Sequence, residues 1–153
     1  MKGNKNMKNI GEVYPKAPSL CNCMNVRRAS RAATQFYDEV LKSSGLTIAQ
    51  LSLLRHIEGG ELPTISELAN MMRIDRTTLN RNVKPLVDAG MIVINPGKDS
   101  RTRQLALTEV GREAMVKGWE LWGEAQASLE EYLGEDDLAK LIQLLSKLEA
   151  LVP

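Results

Sequence analysis

Metal-binding and redox side chains are scarce in these 153 residues, which hold one histidine, His56, and two cysteines, Cys21 and Cys23. A structural zinc site takes four converging ligands, so a lone C-x-C with one distant histidine does not make one, and no metal or other cofactor is expected. Two cysteines close together do not form the disulfide framework of a small secreted domain. Long apolar runs are missing as well. Nothing approaches the roughly 18 residues that a membrane span takes, and the Lys/Asn-rich opening has no hydrophobic signal core, so a cytoplasmic protein with no membrane partner is expected. Catalytic signatures are equally absent: there is no phosphate loop, no HExxH, no credible carboxylate pair and no histidine-backed nucleophile, and an enzyme is not expected.

A strong net charge is also lacking, with 20 Lys and Arg against 19 Asp and Glu, but the charge is unevenly spread. Residues 1–54 hold eight basic side chains against three acidic ones, 55–112 hold nine against seven, and 113–153 hold three against nine. Within the middle part, residues 73–103 carry seven basic side chains and three acidic ones, a local excess suited to a polyanion. The acidic end is expected to face away from it.

What is present is mostly helical punctuation. Residues 1–19 read as a flexible arm of Gly, Asn, Lys and Pro with no apolar period. From Leu20 a helical face runs through Met24, Ala29, Ala32, Ala33, Phe36, Val40 and Leu41 until Ser43-Ser44-Gly45 stops it. Thr47 with Gln50, and Thr64 with Glu67, spell two capping boxes, and Asp75 caps a further helix reaching Gly90. That helix divides into a core face of Leu79, Val83, Leu86 and Val87 and a donor-rich face of Thr77, Asn80, Arg81 and Lys84, with a bend expected near Pro85. Behind it, "MIVIN" and "RQLAL" read as two strands joined by the turn "PGKDSRT". Thr108 caps a long helix carrying Val110, Met115, Trp119, Trp122, Leu129 and Leu133, and Gly134 breaks it. The last helix carries Leu138, Leu141, Leu145 and Leu148, widened by Ile142 and Leu144, an apolar stripe that asks for a partner.

The order of these elements, with the stretches "GLTIAQLSLL", "TISELANMMRIDRTTLNRNVKPLVDAGMI" and "DSRTRQLALTEVGRE", resembles the MarR family of winged-helix transcription regulators over roughly residues 20–151. The resemblance implies a mainly α fold with a small β-hairpin wing: a winged helix-turn-helix over 46–107 and a helical dimerisation region over 20–44 and 108–153. It implies a triangular homodimer on a pseudo-palindromic operator in double-stranded DNA, acting as a repressor, with half-sites about 34 Å apart. Arg76, Thr77, Asn80 and Arg81 then face base edges and nearby phosphates, Lys84 a phosphate, Arg101 the minor groove with Asp99 bracing the loop, and Arg103 the base of the wing. Arginine suits guanine O6 and N7, and asparagine suits adenine N6 and N7.

The cysteines leave two readings open. The stretch from Cys23 through "SRAATQFY" resembles the OhrR branch of organic-hydroperoxide sensors, which implies a reactive Cys23 held by Tyr37. Fourteen helical residues span about 21 Å, so that pair meets only between two chains. The other two sulfur-holding tyrosines of that branch are replaced here by Arg27 and Ile48, and Arg27 sets a cation one turn from the thiol. Residues two apart in a helix point about 200° apart, so Cys21 converges on Cys23 only if it lies outside the first turn. The other reading makes both cysteines small packing hydrophobes. A small aromatic ligand is a second way to relieve binding, in a pocket formed by Phe36, Tyr37, His56, Trp119 and Trp122. Those tryptophans also suit core or dimer packing, and His56 also suits a structural role. Two rival functions, a thiol-based redox enzyme and a winged-helix interaction module without DNA binding, stand against the set Arg76, Arg81 and Arg101, which neither calls for.

Overall fold

A computed structural model describes residues 16–153, so most of the expected arm lies outside the described residues. In chain order the elements are α1 (Asn22–Leu41), α2 (Ile48–Gly59), α3 (Ile65–Met72), α4 (Arg76–Asp88), strands β1 (Ile92–Pro96) and β2 (Arg103–Leu107), α5 (Glu109–Leu133) and α6 (Glu135–Glu149). The chain is mainly helical, and its strands form one antiparallel hairpin, as the winged-helix reading requires.

Helices α2, α3, α4 and α5 each start at a side-chain acceptor. Helix α1 begins two residues later than the apolar pattern suggests, because a polar clamp holds its entry. Ser19 N donates to Asn25 Oδ1 at 2.7 Å, Asn25 Nδ2 returns a bond to the Ser19 carbonyl at 2.9 Å, and the Cys21 carbonyl accepts from Asn25 N at 3.2 Å. Leu20 is left outside the helix and fully exposed. The boxes at Thr47/Gln50 and Thr64/Glu67 both close reciprocally, and Asp75 caps α4 through Thr78 N at 2.7 Å. One further cap is not legible locally: Asp38 Oδ1 on α1 accepts from Ile48 N at 2.7 Å, tying the first turn of α2 to α1.

Helix α4 runs unbroken through Pro85 to Asp88. In the hairpin Ile92 pairs with Leu107 and Pro96 with Arg103, so Pro96 ends a strand instead of opening the turn, at a strand terminus where proline is tolerated. Leu105 N also donates to the Pro63 carbonyl at 2.9 Å, which adds a short rung from the α2–α3 connection to β2.

Two compact units make up the chain. One is Arg31–Trp122, and the other comprises the described residues up to Ser30 with Gly123–Pro153. The first unit has the core: Leu41, Leu53, Leu54, Leu68, Leu79, Leu86, Ile92 and Leu105 are essentially inaccessible, with Tyr37, Val87, Leu121 and Trp122 packed at its edge. In the second unit α6 starts at Gly134, whose φ of 83° suits glycine, and its first turn holds Glu135, Asp136 and Asp137, carboxylates that favour a helix N-terminus. Its stripe of Leu141, Ile142, Leu144, Leu145 and Leu148 is at least 40% exposed at every position. Among the described residues no helix is long and apolar enough to cross a membrane.

Truncating Leu54, which is 0% exposed at the centre of this core, leaves a cavity as well as losing transfer energy. Leu54→Ala is expected to lower unfolding free energy by about 2–5 kcal/mol in urea titration, with m unchanged.

Candidate nucleic-acid interface

The α3–turn–α4 segment is built from two capped helices joined by Arg73 in the left-handed conformation, φ 53°. Because Leu79, Val83 and Leu86 are buried, the remaining faces of α4 are turned outward, and Arg76, Thr77, Asn80, Arg81 and Lys84 are all exposed. Among the described residues the Arg76 guanidinium makes no ion pair, while Lys84 bridges to Asp88 at 3.0 Å, an exposed i,i+4 contact that a stronger anion can displace.

Asp75 stands at the start of this helix with both oxygens used, Oδ1 by Thr78 N at 2.7 Å and Oδ2 by the Thr78 hydroxyl at 3.0 Å. The Thr78 backbone N–H chiefly, then its hydroxyl, hold the Asp75 carboxyl below the usual carboxylate range, with Arg81 adding a weaker attraction. The Thr64 backbone N–H does the same for Glu67 at the start of α3. Both N-terminal turns are therefore anchored by ionised side chains.

The wing tip is organised by Asp99. Its Oδ1 accepts from Arg101 N at 2.7 Å and Thr102 N at 3.2 Å, and Gly97 N closes the turn on the Thr102 carbonyl at 2.9 Å. A Cβ on Gly97 would run into the Thr102 side chain, so the turn needs glycine there. Bracing thus acts on the backbone of Arg101 and leaves its guanidinium without an ion pair among the described residues. Arg103 is used differently, since its Nη1 donates back to the Ser100 and Thr102 carbonyls at 3.4 and 3.3 Å. Lys98, exposed beside Asp99 at the same tip, is a further cation that the motif-based reading passes over.

The five side chains expected to line a ligand pocket sit in two pairs and a singleton. Trp119 stacks on Trp122 with centroids 4.2 Å apart, Phe36 meets Tyr37 edge-on at 5.5 Å, and His56 Nδ1 lies 2.7 Å from the Ser52 carbonyl. Arg55 of α2 lies over the Trp119 ring at 4.0 Å, a contact between helices that no local pattern announces. Burial pushes the Tyr37 phenol up, so it remains a neutral hydroxyl at pH 7. Two open clefts of about 550 and 270 Å³ lie elsewhere, around Gly60 and Glu61, and neither contains these aromatics. Cys21 and Cys23 are both exposed free thiols, and Cys21 is the residue immediately before α1. No group of three or more metal-ligating side chains occurs among the described residues.

Residues 44–102 match the sequence model of the MarR family. Among solved structures, the M. tuberculosis transcriptional regulator MosR in complex with DNA is 37% identical, with 83% of this chain and 97% of that one covered and a TM-score of 0.68. A second MosR structure gives 33% identity, coverage of 89% and 100%, and a TM-score of 0.72. Wild-type E. coli MarR in its apo form, at 24% identity, coverage of 86% and 98% and a TM-score of 0.66, is similar in fold. No curated protein sequence matches significantly.

The two carboxylate anchors carry a pH signature. A carboxylate whose folded pKa is depressed contributes stability that is fully present above its ordinary value near pH 4 and is lost as pH falls through the lower folded value. Thermal melts between about pH 6 and 3 are therefore expected to fall less steeply for Asp75→Asn, which keeps a capping oxygen, than for the unaltered protein. Parallel curves for the two proteins would remove Asp75 as an ionic anchor.

Proposed function

The chain belongs to the MarR family of winged-helix transcription regulators, and from that premise we propose that it represses transcription by binding a pseudo-palindromic operator in double-stranded DNA as a homodimer. The observation that carries this reading is the outward face of α4, which sets Arg76, Thr77, Asn80 and Arg81 in solvent directly behind a capped helix start. Arg76 and Asn80, one turn apart, suit base edges, with Arg81, Thr77 and Lys84 toward phosphates. The braced wing offers Arg101 and Lys98 to a second groove, where width and potential are read more than sequence. Support for the homodimer comes from the uncovered leucine stripe of α6, since a monomer rarely leaves so continuous an apolar face in water. The helical region over 20–44 and 108–153 would serve dimerisation, and 46–107 DNA reading.

Relief of binding by cysteine oxidation is a second reading, supported by two exposed free thiols at the entry of α1, Cys21 immediately before the helix and Cys23 in its first turn. The Cys23 sulfur attacks the terminal oxygen of a hydroperoxide, forming an S–O bond as the O–O bond breaks, and the thiol proton leaves with the alkoxide as the alcohol. The Cys21 thiol then attacks the sulfenic sulfur, forming the disulfide and releasing water. Tyr37 of a second chain would hold the Cys23 sulfur as a neutral donor. A small aromatic inducer finds less support, because Trp119 is already engaged by Trp122 and Arg55.

Selection of bound duplexes from a random pool, followed by shift assays at several salt concentrations, tests the reading directly. A single symmetric consensus is expected, and no enrichment over unselected DNA would overturn it. Arg101→Ala is expected to weaken binding to every selected duplex and to lower the salt slope by about 0.9, the share of one phosphate contact. Organic hydroperoxide is expected to release DNA from the unaltered protein but not from Cys23→Ser; release in both, or in neither, eliminates the sensor role.

A further inference from the structure

The end of α4 and the start of α5 meet at a single side chain. Helix α4 closes with Gly90 N bonded to the Val87 carbonyl at 3.0 Å and Met91 N to the Leu86 carbonyl at 2.9 Å, Gly90 taking a φ of 72°. Eighteen residues later the chain returns to that exit. The Thr108 hydroxyl donates to the Gly90 carbonyl at 2.6 Å, and Thr108 N donates to the Met91 carbonyl at 3.0 Å. The same hydroxyl oxygen accepts from Gly111 N at 3.1 Å, which makes Thr108 the N-cap of α5.

One hydroxyl therefore acts in both directions. Its proton serves a helix-terminal carbonyl of the α4 exit, and its lone pair serves an orphan N–H in the first turn of α5. The backbone bond to Met91 is available to any residue except proline, so only the hydroxyl is specific to this side chain. Packing reinforces it: a Cβ on Gly111 would collide with the Met91 carbonyl oxygen, so the α4 exit lies directly against the α5 backbone. The hairpin starts from the same place, with Ile92 paired to Leu107 on either side of the joint. Recognition helix, wing and α5 thus share one fixed point.

We infer that Thr108 is a positioning residue for DNA reading: through its hydroxyl it holds the exit of α4 on the first turn of α5, and so sets the angle at which α4 offers Arg76, Asn80 and Arg81. Thr108 itself touches no DNA and acts through α4. The inference rests on the DNA-binding reading above.

Thr108→Val removes both hydroxyl bonds at nearly constant shape, and Thr108→Ser retains both. Each variant is titrated at fixed salt with the selected operator, with unselected duplex, and with operators whose half-site spacing is changed by one or two base pairs. Thr108→Val is expected to lose about tenfold in the ratio of operator to non-specific affinity, the worth of two ordinary hydrogen bonds. Its preferred spacing is expected to shift or broaden, while non-specific affinity and its salt slope stay unchanged, because those depend on surface charge alone. Thr108→Ser is expected to restore the ratio to within about twofold. Gly111→Ala, which pushes the Met91 carbonyl off α5, is expected to act in the same direction as Thr108→Val, and should it not fold, Thr108→Val decides alone. An unchanged ratio and spacing preference in folded Thr108→Val overturns the inference, as does an equal loss on both kinds of DNA that tracks a lowered melting temperature. If the unaltered protein shows no sequence preference, the DNA-binding reading itself fails, an outcome read before any variant is compared.

Discussion

Burial of Leu79, Val83 and Leu86 fixes the rotation of α4 about its own axis, and the assignment of every outward side chain follows from that rotation. At about 100° per residue these three point within about 60° of one another, which turns Thr77, Arg81 and Lys84 to the far side and Arg76 and Asn80 to one flank. The core contacts outweigh the cap in setting this. Three buried aliphatic side chains contribute roughly 1.5–3 kcal/mol each, against about 1 kcal/mol for an N-cap. Asp75 decides where the helix starts, and the leucine core decides which way it faces. A slip of one residue would turn Asn80 and Lys84 into the core that holds Leu54 and Leu68, at a desolvation cost no phosphate contact offsets.

The features legible in the sequence are those whose physical cause is local. A threonine followed three residues later by Gln50 or Glu67 closes a ring of two hydrogen bonds within one turn, so the residue types alone announce both boxes. The amphipathic split of α4 and the strand–turn–strand of the wing are likewise short-range patterns. What escapes has partners far apart in the chain: Asp38 with Ile48 N, Thr108 with the Gly90 carbonyl, Arg55 with Trp119. No periodicity announces such pairs, because each is set by how two helices happen to cross. The start of α1 escapes for a related reason: Ser19 and Asn25 form a polar clamp, while the apolar period alone carries the helix back to Leu20.

Charge and apolar surface are divided between different segments of the chain. The basic excess of residues 73–103 is spread over α4 and the wing, while the acidic excess lies beyond residue 112 with the exposed leucines of α6. Carboxylates in the same segment as the stripe disfavour its approach to a polyanion, since like charges repel. The same charge is a weaker barrier to apolar contacts, because leucine burial is non-directional and Lys140 and Lys147 offset part of the local charge. Basic side chains and exposed leucines thus lie in different segments of the chain.

The joint at Thr108 ties the α4 exit to the start of α5 through two weak bonds. Each hydrogen bond there contributes only about 0.5–1.5 kcal/mol net, yet coupling between distant sites in switchable proteins typically amounts to about 1–3 kcal/mol. Two such bonds on one hydroxyl are thus commensurate with a regulatory signal, neither negligible beside it nor strong enough to freeze α4 in place. Arg112 adds a weaker tie one turn further, bridging Glu58 of α2 at 3.5 Å and Glu109 at 3.7 Å on an exposed surface. Since α5 continues from Glu109 to Leu133 without interruption, a rotation of its first half acts directly on the α4 exit. On the proposed DNA-binding reading, the affinity of α4 for DNA depends on what holds its carbonyl end as well as on the arginines along its exposed face.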